Sequence, residues 1–211
     1  MILGIDVGGT FTDLVFLNEA GEMRIHKLLT TVGDPTVAVL QGIAELEAGP
    51  ETTIVHGSTV GTNAILERRG ARTALITTAG FGDVLEIGRQ TRQELYALNP
   101  TRPVPLVPSC WRYELPERIT SQGSVLVPLD PDAVDAVMHQ LQAEGIESVA
   151  VCFLFSFLDP SHERRVRDRI VTLGKEACPS VSLSSEVLPV YREYERMSTT
   201  VMNAYIAPIM D

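Results

Sequence analysis

Two short apolar runs, Met1–Val7 and Phe11–Leu17, flank the pair Gly8-Gly9. Strand, tight turn, strand is the economical reading, a β-hairpin whose glycines supply positive φ. A polar break at Asn18–Gly21 leads to Met23–Leu29, a third antiparallel strand. Asp34-Pro35 then pairs an N-cap with a proline at the first helical position. Val37, Leu40, Ile43, Ala44 and Leu46 recur near helical spacing until Gly49-Pro50 stops the pattern. Thr53–His56 reads as a short strand, Val60–Arg68 as a helix with Gly70 as the residue past its end, and Thr73–Thr78 as another strand. The order is βββαβαβ. It predicts an α/β unit with a mixed sheet, antiparallel among its first strands and parallel later.

From Phe81 to Pro128 the periodicity fades, and Pro100, Pro103, Pro105, Pro108 and Pro116 break any long element. This stretch reads as a proline-rich insertion with little regular structure. Regularity returns at Asp130-Pro131, which opens a helix closed by Gly145. Ser148–Phe155 is almost continuously apolar, as a strand buried on both faces should be. Asp159-Pro160 starts a helix whose HERRVRDRI segment reads as a solvated charged face; Val181–Ser184 is a strand, and a last helix runs from Tyr191. The organisation is therefore 1–80, an irregular insertion over 81–128, and an αβαβα continuation over 129–211.

Composition narrows the function classes. Lys+Arg 17 against Asp+Glu 27 gives a net charge of −10 over 211 residues, which argues against a nucleic-acid or anionic-membrane surface. Cys110, Cys152 and Cys178 have no CxxC or Cys/His spacing, so neither a disulfide framework nor a zinc site is expected, and Cys152 reads as a buried inert thiol. The start MILGIDVGG lacks a basic region, and no run approaches the roughly 18 apolar residues of a membrane span. A cytoplasmic protein is expected.

The sharpest chemical feature is Asp6-Val7-Gly8-Gly9-Thr10-Phe11-Thr12-Asp13. A glycine-paired turn exposes successive backbone N–H groups, and such a nest binds phosphate. Asp6 at the strand end suits a hydrated Mg²⁺ facing that phosphate, with Thr10 and Thr12 as hydroxyl donors or as a cross-hairpin pair. No GxxxxGK[ST] loop exists, and the glycines join two strands rather than a strand and a helix, so neither a P-loop nor a Rossmann fingerprint is present.

His56-Gly57-Ser58-Thr59, with Thr62 and Asn63 on the next turn, is a second anion-friendly stretch where a strand meets a helix N-terminus. His56 reads equally as a proton-transfer group and as a histidine hydrogen-bonded near a strand end, and Ser58 or Thr59 as a helix cap. Arg89 and Arg92, with Glu86, form a third group: a bidentate clamp for a substrate carboxylate, or solvated loop arginines. The run Tyr191–Arg196 suits either a polar cleft face or a salt-bridged surface, and spacing favours the surface. His26, His139 and His162 stand without partners and read as structural or exposed.

These residues resemble one family along the whole chain, the N-terminal region of the hydantoinase A/5-oxoprolinase proteins. The resemblance rests on DVGGTFTD at Asp6–Asp13, on the block from His56 to Gln90, on PLDPDAV at Pro128–Val134, on AVCFLFSFLDPSHE at Ala150–Glu163 and on REYERMSTTVMNAYIAP at Arg192–Pro208. HGST stands where the family commonly shows HGTT, and SFLDP where text like SYLNP is usual; neither departure removes a proposed site group.

The resemblance implies the N-terminal lobe of an actin-like (ribonuclease H-like) ATPase. Asp6, as metal ligand and catalytic group, and Gly8, Gly9, Thr10, Thr12 and Asp13 would then form the first phosphate loop. His56 would be a second catalytic group, and Ser58, Thr59, Asn63, Arg89 and Arg92 would bind substrate. The implied cofactors are ATP and Mg²⁺, with K⁺ or another divalent metal as alternatives. The implied reaction phosphorylates an amide, lactam or ketone carbonyl before hydrolysis or carboxylation, alongside a hydantoinase B-type subunit or domain in an oligomeric assembly. The second phosphate loop of such ATPases lies in a C-terminal lobe that this sequence does not contain, so half an ATP site, inactive alone, is expected.

Two other readings compete. A sugar- or acetate-type kinase of the same superfamily shares the phosphate loop but not the HGST…NAILERRG block. A non-catalytic interaction lobe predicts an exposed apolar patch.

Overall fold

A computed structural model describes residues 1–211 except 32, 92–95, 97, 99–102, 175–177 and 211. Two compact units divide the chain, Met1–Arg69 and Gly70–Asp211.

The first unit begins with β1 (Ile2–Val7), β2 (Phe11–Leu17) and β3 (Met23–Leu29), continues through α1 (Pro35–Glu45) and β4 (Thr53–Ser58), and ends in α2 (Val60–Leu66). Its sheet has the order β3-β2-β1-β4, antiparallel across the first three strands and parallel between β1 and β4. The sheet is mixed, as the element order implied. Strand alternation sends Leu3, Ile5, Val7, Leu14 and Phe16 to one face, where they form the core with Leu46 and the α1 residues Val39 and Ile43. Asp34 caps α1 by accepting the Thr36 N–H at 2.9 Å, as its sequence predicted. A Cβ on Gly42 would stand 2.5 Å from Leu14 Cδ2, so the glycine lets α1 lie close on the sheet. On the other face Ile2, Val15, Leu17, Met23, Ile25 and Val55 are all exposed large apolar residues.

Two local expectations change. Neither Gly8 nor Gly9 takes positive φ; what their turn demands is space, since a Cβ on Gly8 would lie 3.0 Å from Phe11 O. The left-handed residue after α2 is Arg68, not Gly70. Gly70 has a packing role instead, because a Cβ there would stand 2.1 Å from the Tyr205 ring.

The second unit holds β5 (Thr73–Thr78), α3 (Val84–Ile87), β6 (Arg112–Leu115), β7 (Arg118–Ile119), β8 (Val125–Val127), α4 (Pro131–Ala143), β9 (Ser148–Cys152), α5 (Ser161–Gly174), β10 (Ser180–Leu183), α6 (Ser184–Val187) and α7 (Glu193–Met210). Its main sheet is parallel, in the order β10-β9-β5-β6. β5 and β9 are buried along their whole length because both faces are covered. Ala74, Ile76, Val149 and Val151 pack with α4 and α5. Leu75, Ala150 and Cys152 pack with Met197, Val201 and Ala204 of α7.

β5 thus joins β9 and β6 rather than continuing the first sheet. A strand apolar on both faces needs an interior position, and β4 is exposed along its length. The stretch read as irregular supplies β6, the edge strand beside β5. No helix among the described residues is long and apolar enough to cross a membrane.

Candidate functional site

The turn joining β1 to β2 is built by sorting its backbone groups. Gly8 N–H donates to Phe11 O at 2.9 Å and closes the turn. Val7 O accepts the Thr59 N–H at 3.1 Å, with the Thr59 hydroxyl at 3.4 Å. Gly8 O accepts the Thr30 hydroxyl at 2.9 Å, and Thr10 O accepts the Thr30 N–H at 2.9 Å. Three carbonyls are therefore tied back into the unit. The N–H groups of Gly9 and Thr10 have no partner among the described residues, and both residues are exposed. Unpaired N–H groups on adjacent residues are what an anion-binding nest requires.

Asp6 lies at the edge of this turn on the outer face of β1, opposite Asp13 of β2 and beside Gly57 of β4. Its carboxylate makes no hydrogen bond or ion pair among the described residues. Asp13 is instead paired with Lys27, whose Nζ is 2.7 Å from Oδ1, and Lys27 also sits over the Phe11 ring. Gly57 leaves the side of Asp6 open: a Cβ there would approach Asp6 Oδ1 at 3.9 Å.

Asn63 reaches the same turn from α2, its Nδ2 3.3 Å from Thr59 Oγ1 and 3.5 Å from where a Gly9 Cβ would stand. Ser58 Oγ accepts the Val60 N–H at 3.3 Å and serves the start of α2. The structure thus gathers Asp6, Gly8, Gly9, Thr10, Asp13, Thr59 and Asn63 at one end of the first sheet.

Thr12 is corrected from anion contact to brace. It is fully buried, its hydroxyl 3.0 Å from that of Thr30. His56 is also separated from Asp6. Its register partner is Ile5, on the core side, whereas Asp6 pairs with Gly57, so alternation places the two side chains on opposite faces of the sheet. Thr30 was missed in the sequence because it follows β3 as one of two adjacent threonines in LLTT.

Arg89 lies in the second unit. Its Nε donates to Glu195 Oε1 at 2.8 Å, and its guanidinium is 5.9 Å from the Tyr194 ring centre. The hydrogen bond from Arg89 is the main reason the Glu195 carboxyl is held below its usual value. Val84, Ile87, Gly88 and the Tyr191–Glu195 segment line an open cleft of about 390 Å³ beside this pair. Arg92 lies outside the described residues.

Sequence reasoning also missed a buried polar cluster beyond the end of β9. Glu163 Oε1 accepts the Phe153 N–H at 3.0 Å, the Arg196 Nη2 donates to Phe153 O at 2.8 Å, and Thr78 Oγ1 accepts the Leu154 N–H at 3.1 Å. Thr78 in turn bonds Glu117, and Glu117 Oε2 is 2.7 Å from His162 Nδ1. Arg196, Glu163, Glu117 and His162 are all buried, which corrects the solvated reading of the α5 segment at His162 and Glu163, though Arg164, Arg165 and Asp168 are exposed as expected, and corrects the surface reading of Arg196. Together they hold the chain entering Phe155, whose φ of 56° is unusual for so bulky a residue. Burial, with the nearby Glu163 charge, pushes the Cys152 thiol far above its ordinary range, so it is no nucleophile. No group of three or more His, Cys, Asp or Glu fit to hold a metal exists among the described residues.

The model of the hydantoinase/oxoprolinase N-terminal region matches residues 2–174. The chain belongs to this family. Caprolactamase subunit alpha of Pseudomonas jessenii is 35% identical over 99% of this chain and 31% of its own length. The 5-oxoprolinase of Saccharomyces cerevisiae is 33% identical over 99% of this chain and 19% of its own. Among solved structures, nucleotide-free acetone carboxylase superposes with a TM-score of 0.88 at 26% identity, over 99% of this chain and 32% of that one. The chain spans about a third or less of the length of these relatives.

Proposed function

We propose that the first unit supplies the phosphate- and metal-binding part of an ATP site of the actin-like type, in an enzyme that activates a lactam, cyclic amide or ketone carbonyl by phosphorylation. The observation that carries this reading is the pairing of an unpartnered Asp6 carboxylate with the free N–H groups of Gly9 and Thr10. The relatives' names support it: they act on a lactam, on 5-oxoproline and on acetone, and acetone carboxylation is described as ATP-dependent. Family membership also favours it over a sugar or acetate kinase.

The donor set fits the cofactor. Gly9 and Thr10 N–H groups, with the Thr10 hydroxyl, hold phosphate oxygens. Asp6 would hold Mg²⁺ by its carboxylate, and the ion would neutralise phosphate charge there. ATP supplies the phosphoryl group that turns a poor carbonyl electrophile into an activated one. The chain's own contribution is positioning and charge placement, which dominate phosphoryl transfer. Asn63 and Thr59 fix the loop from the α2 side. Arg89, held by Glu195 beside the cleft of the second unit, is the candidate there for recognising a substrate carboxylate.

Hydrolysis or carboxylation follows in a larger assembly that includes a hydantoinase B-type partner. The exposed apolar face around Val15, Met23 and Ile25 favours an additional role as an interaction lobe. The test is Asp6→Asn, followed by calorimetric titration with ATP and Mg²⁺ and by turnover in the assembled enzyme. Loss of metal-dependent binding and of turnover with an unchanged melting curve is expected; an active variant overturns the assignment.

A further inference from the structure

We propose that Thr30 is the positioning residue that aims the Gly9 N–H, and with it the anion-binding character of the β1–β2 turn. This deepens the phosphate-loop reading and rests on it for the ligand, though not for the loop geometry.

The argument begins with proton counting. A threonine hydroxyl has one proton to donate. The Thr30 hydroxyl gives it to Gly8 O at 2.9 Å, so its 3.0 Å contact with Thr12 must run the other way, with Thr12 donating to Thr30. The result is a directed relay, Thr12 to Thr30 to Gly8 carbonyl, in which each bond polarises the next. Thr12 is fully buried and so has no water to trade for.

Peptide planarity carries the relay into the turn. The Gly8 carbonyl and the Gly9 N–H belong to one rigid trans unit and point in opposite directions. Fixing the carbonyl toward Thr30 therefore fixes the Gly9 N–H away from it, toward the exposed side of the turn. The Thr30 N–H does the same at the far end by holding Thr10 O at 2.9 Å. The Gly9–Thr10 peptide is the one whose carbonyl has no partner among the described residues, so Thr30 brackets it from both sides.

Glycine makes such a brace necessary. With no Cβ at Gly8 or Gly9, the peptide between them rotates at little steric cost. Without the Thr30 hydroxyl the Gly8 carbonyl seeks another donor, and a rotated peptide presents an oxygen where an anion needs a proton.

The experiment uses the 211-residue chain labelled with ¹⁵N, as wild type, Thr30→Val, Thr30→Ser and Thr12→Val, each titrated with inorganic pyrophosphate and with ATP–Mg²⁺. Valine matches threonine in shape and keeps the Thr30 N–H, so only the hydroxyl is removed. Expected results are displaced Gly8, Gly9 and Thr10 amide resonances in Thr30→Val, at least about tenfold weaker anion titration, and restoration of both by serine. Thr12→Val leaves the Thr30 donation in place and should disturb the turn less. If the valine variant does not fold, Thr30→Cys, a weak donor, should fall between serine and wild type on one side and loss on the other.

Unchanged turn resonances and unchanged titration in Thr30→Val would overturn the proposal, as would Thr12→Val matching it. Displaced resonances in Thr30→Val that serine restores would support Thr30's control of the turn even where the wild-type chain, as half a site, binds neither probe.

Discussion

Asp6 and Asp13 stand directly opposite each other on β1 and β2, two carboxylates on one exposed face, and among the described residues only Asp13 has a cation. Lys27, next in the same row on β3, neutralises it and leaves Asp6 free. Like charges at facing strand positions are unfavourable, so the row reads as a cost retained for a purpose.

Replacing Lys27 with Met should therefore lower the stability of the first unit by ~1 kcal/mol or less, given the exposure of the pair. The loss should be larger at low salt and should disappear when Asp13→Asn is added. Thermal melts of the two single variants and the double variant give the coupling. Additive effects would show that Lys27 does not screen the aspartate pair.

Arg196 concerns the second unit. It is 2% exposed and donates to Phe153 O at 2.8 Å and to Val190 O at 3.2 Å. Arg196→Met strips both carbonyls of a charged donor and should cost about 1–3 kcal/mol in denaturant unfolding. Arg196→Lys should recover only part of it, because one ammonium cannot span two carbonyls as a planar guanidinium does. Full stability in the methionine variant would mean that the strand-end segment does not depend on this side chain.

Acid should weaken the start of α5. The Ser161 N–H, which donates to Asp159 Oδ1 at 2.9 Å, is the main reason the Asp159 carboxyl is held below its usual value; the nearby His162 and Arg165 add to it. The folded value lies below the unfolded one, so the carboxylate stabilises fully above about pH 4 and loses that contribution as pH falls through the folded value. Asp159→Asn keeps the acceptor but not the charge. It should be less stable than wild type near neutral pH, with the gap closing in acid. A gap independent of pH would remove the charge from the account.

Much of the local architecture was legible in the chain. Asp34-Pro35 and Asp130-Pro131 both open helices with the aspartate accepting an N–H two residues on, because that chemistry is complete within three residues. The βββαβαβ order followed from alternation and turn residues alone. The fate of β5 did not, because an apolar strand reads the same whichever sheet buries it. Nor did the burial of Glu163, His162 and Arg196, since a charged residue looks solvated until the partners that satisfy it are in place.

The turn at Gly8-Gly9 divides in the same way. Sequence by itself determined the family, the hairpin, and a glycine pair beside an aspartate. Tertiary structure decided which N–H groups are free, because the donors that claim the turn's carbonyls come from Thr30 and Thr59, distant in the chain. It also decided that Thr12 faces inward and that His56 and Asp6 part company, since the face of a strand residue depends on register with its neighbours.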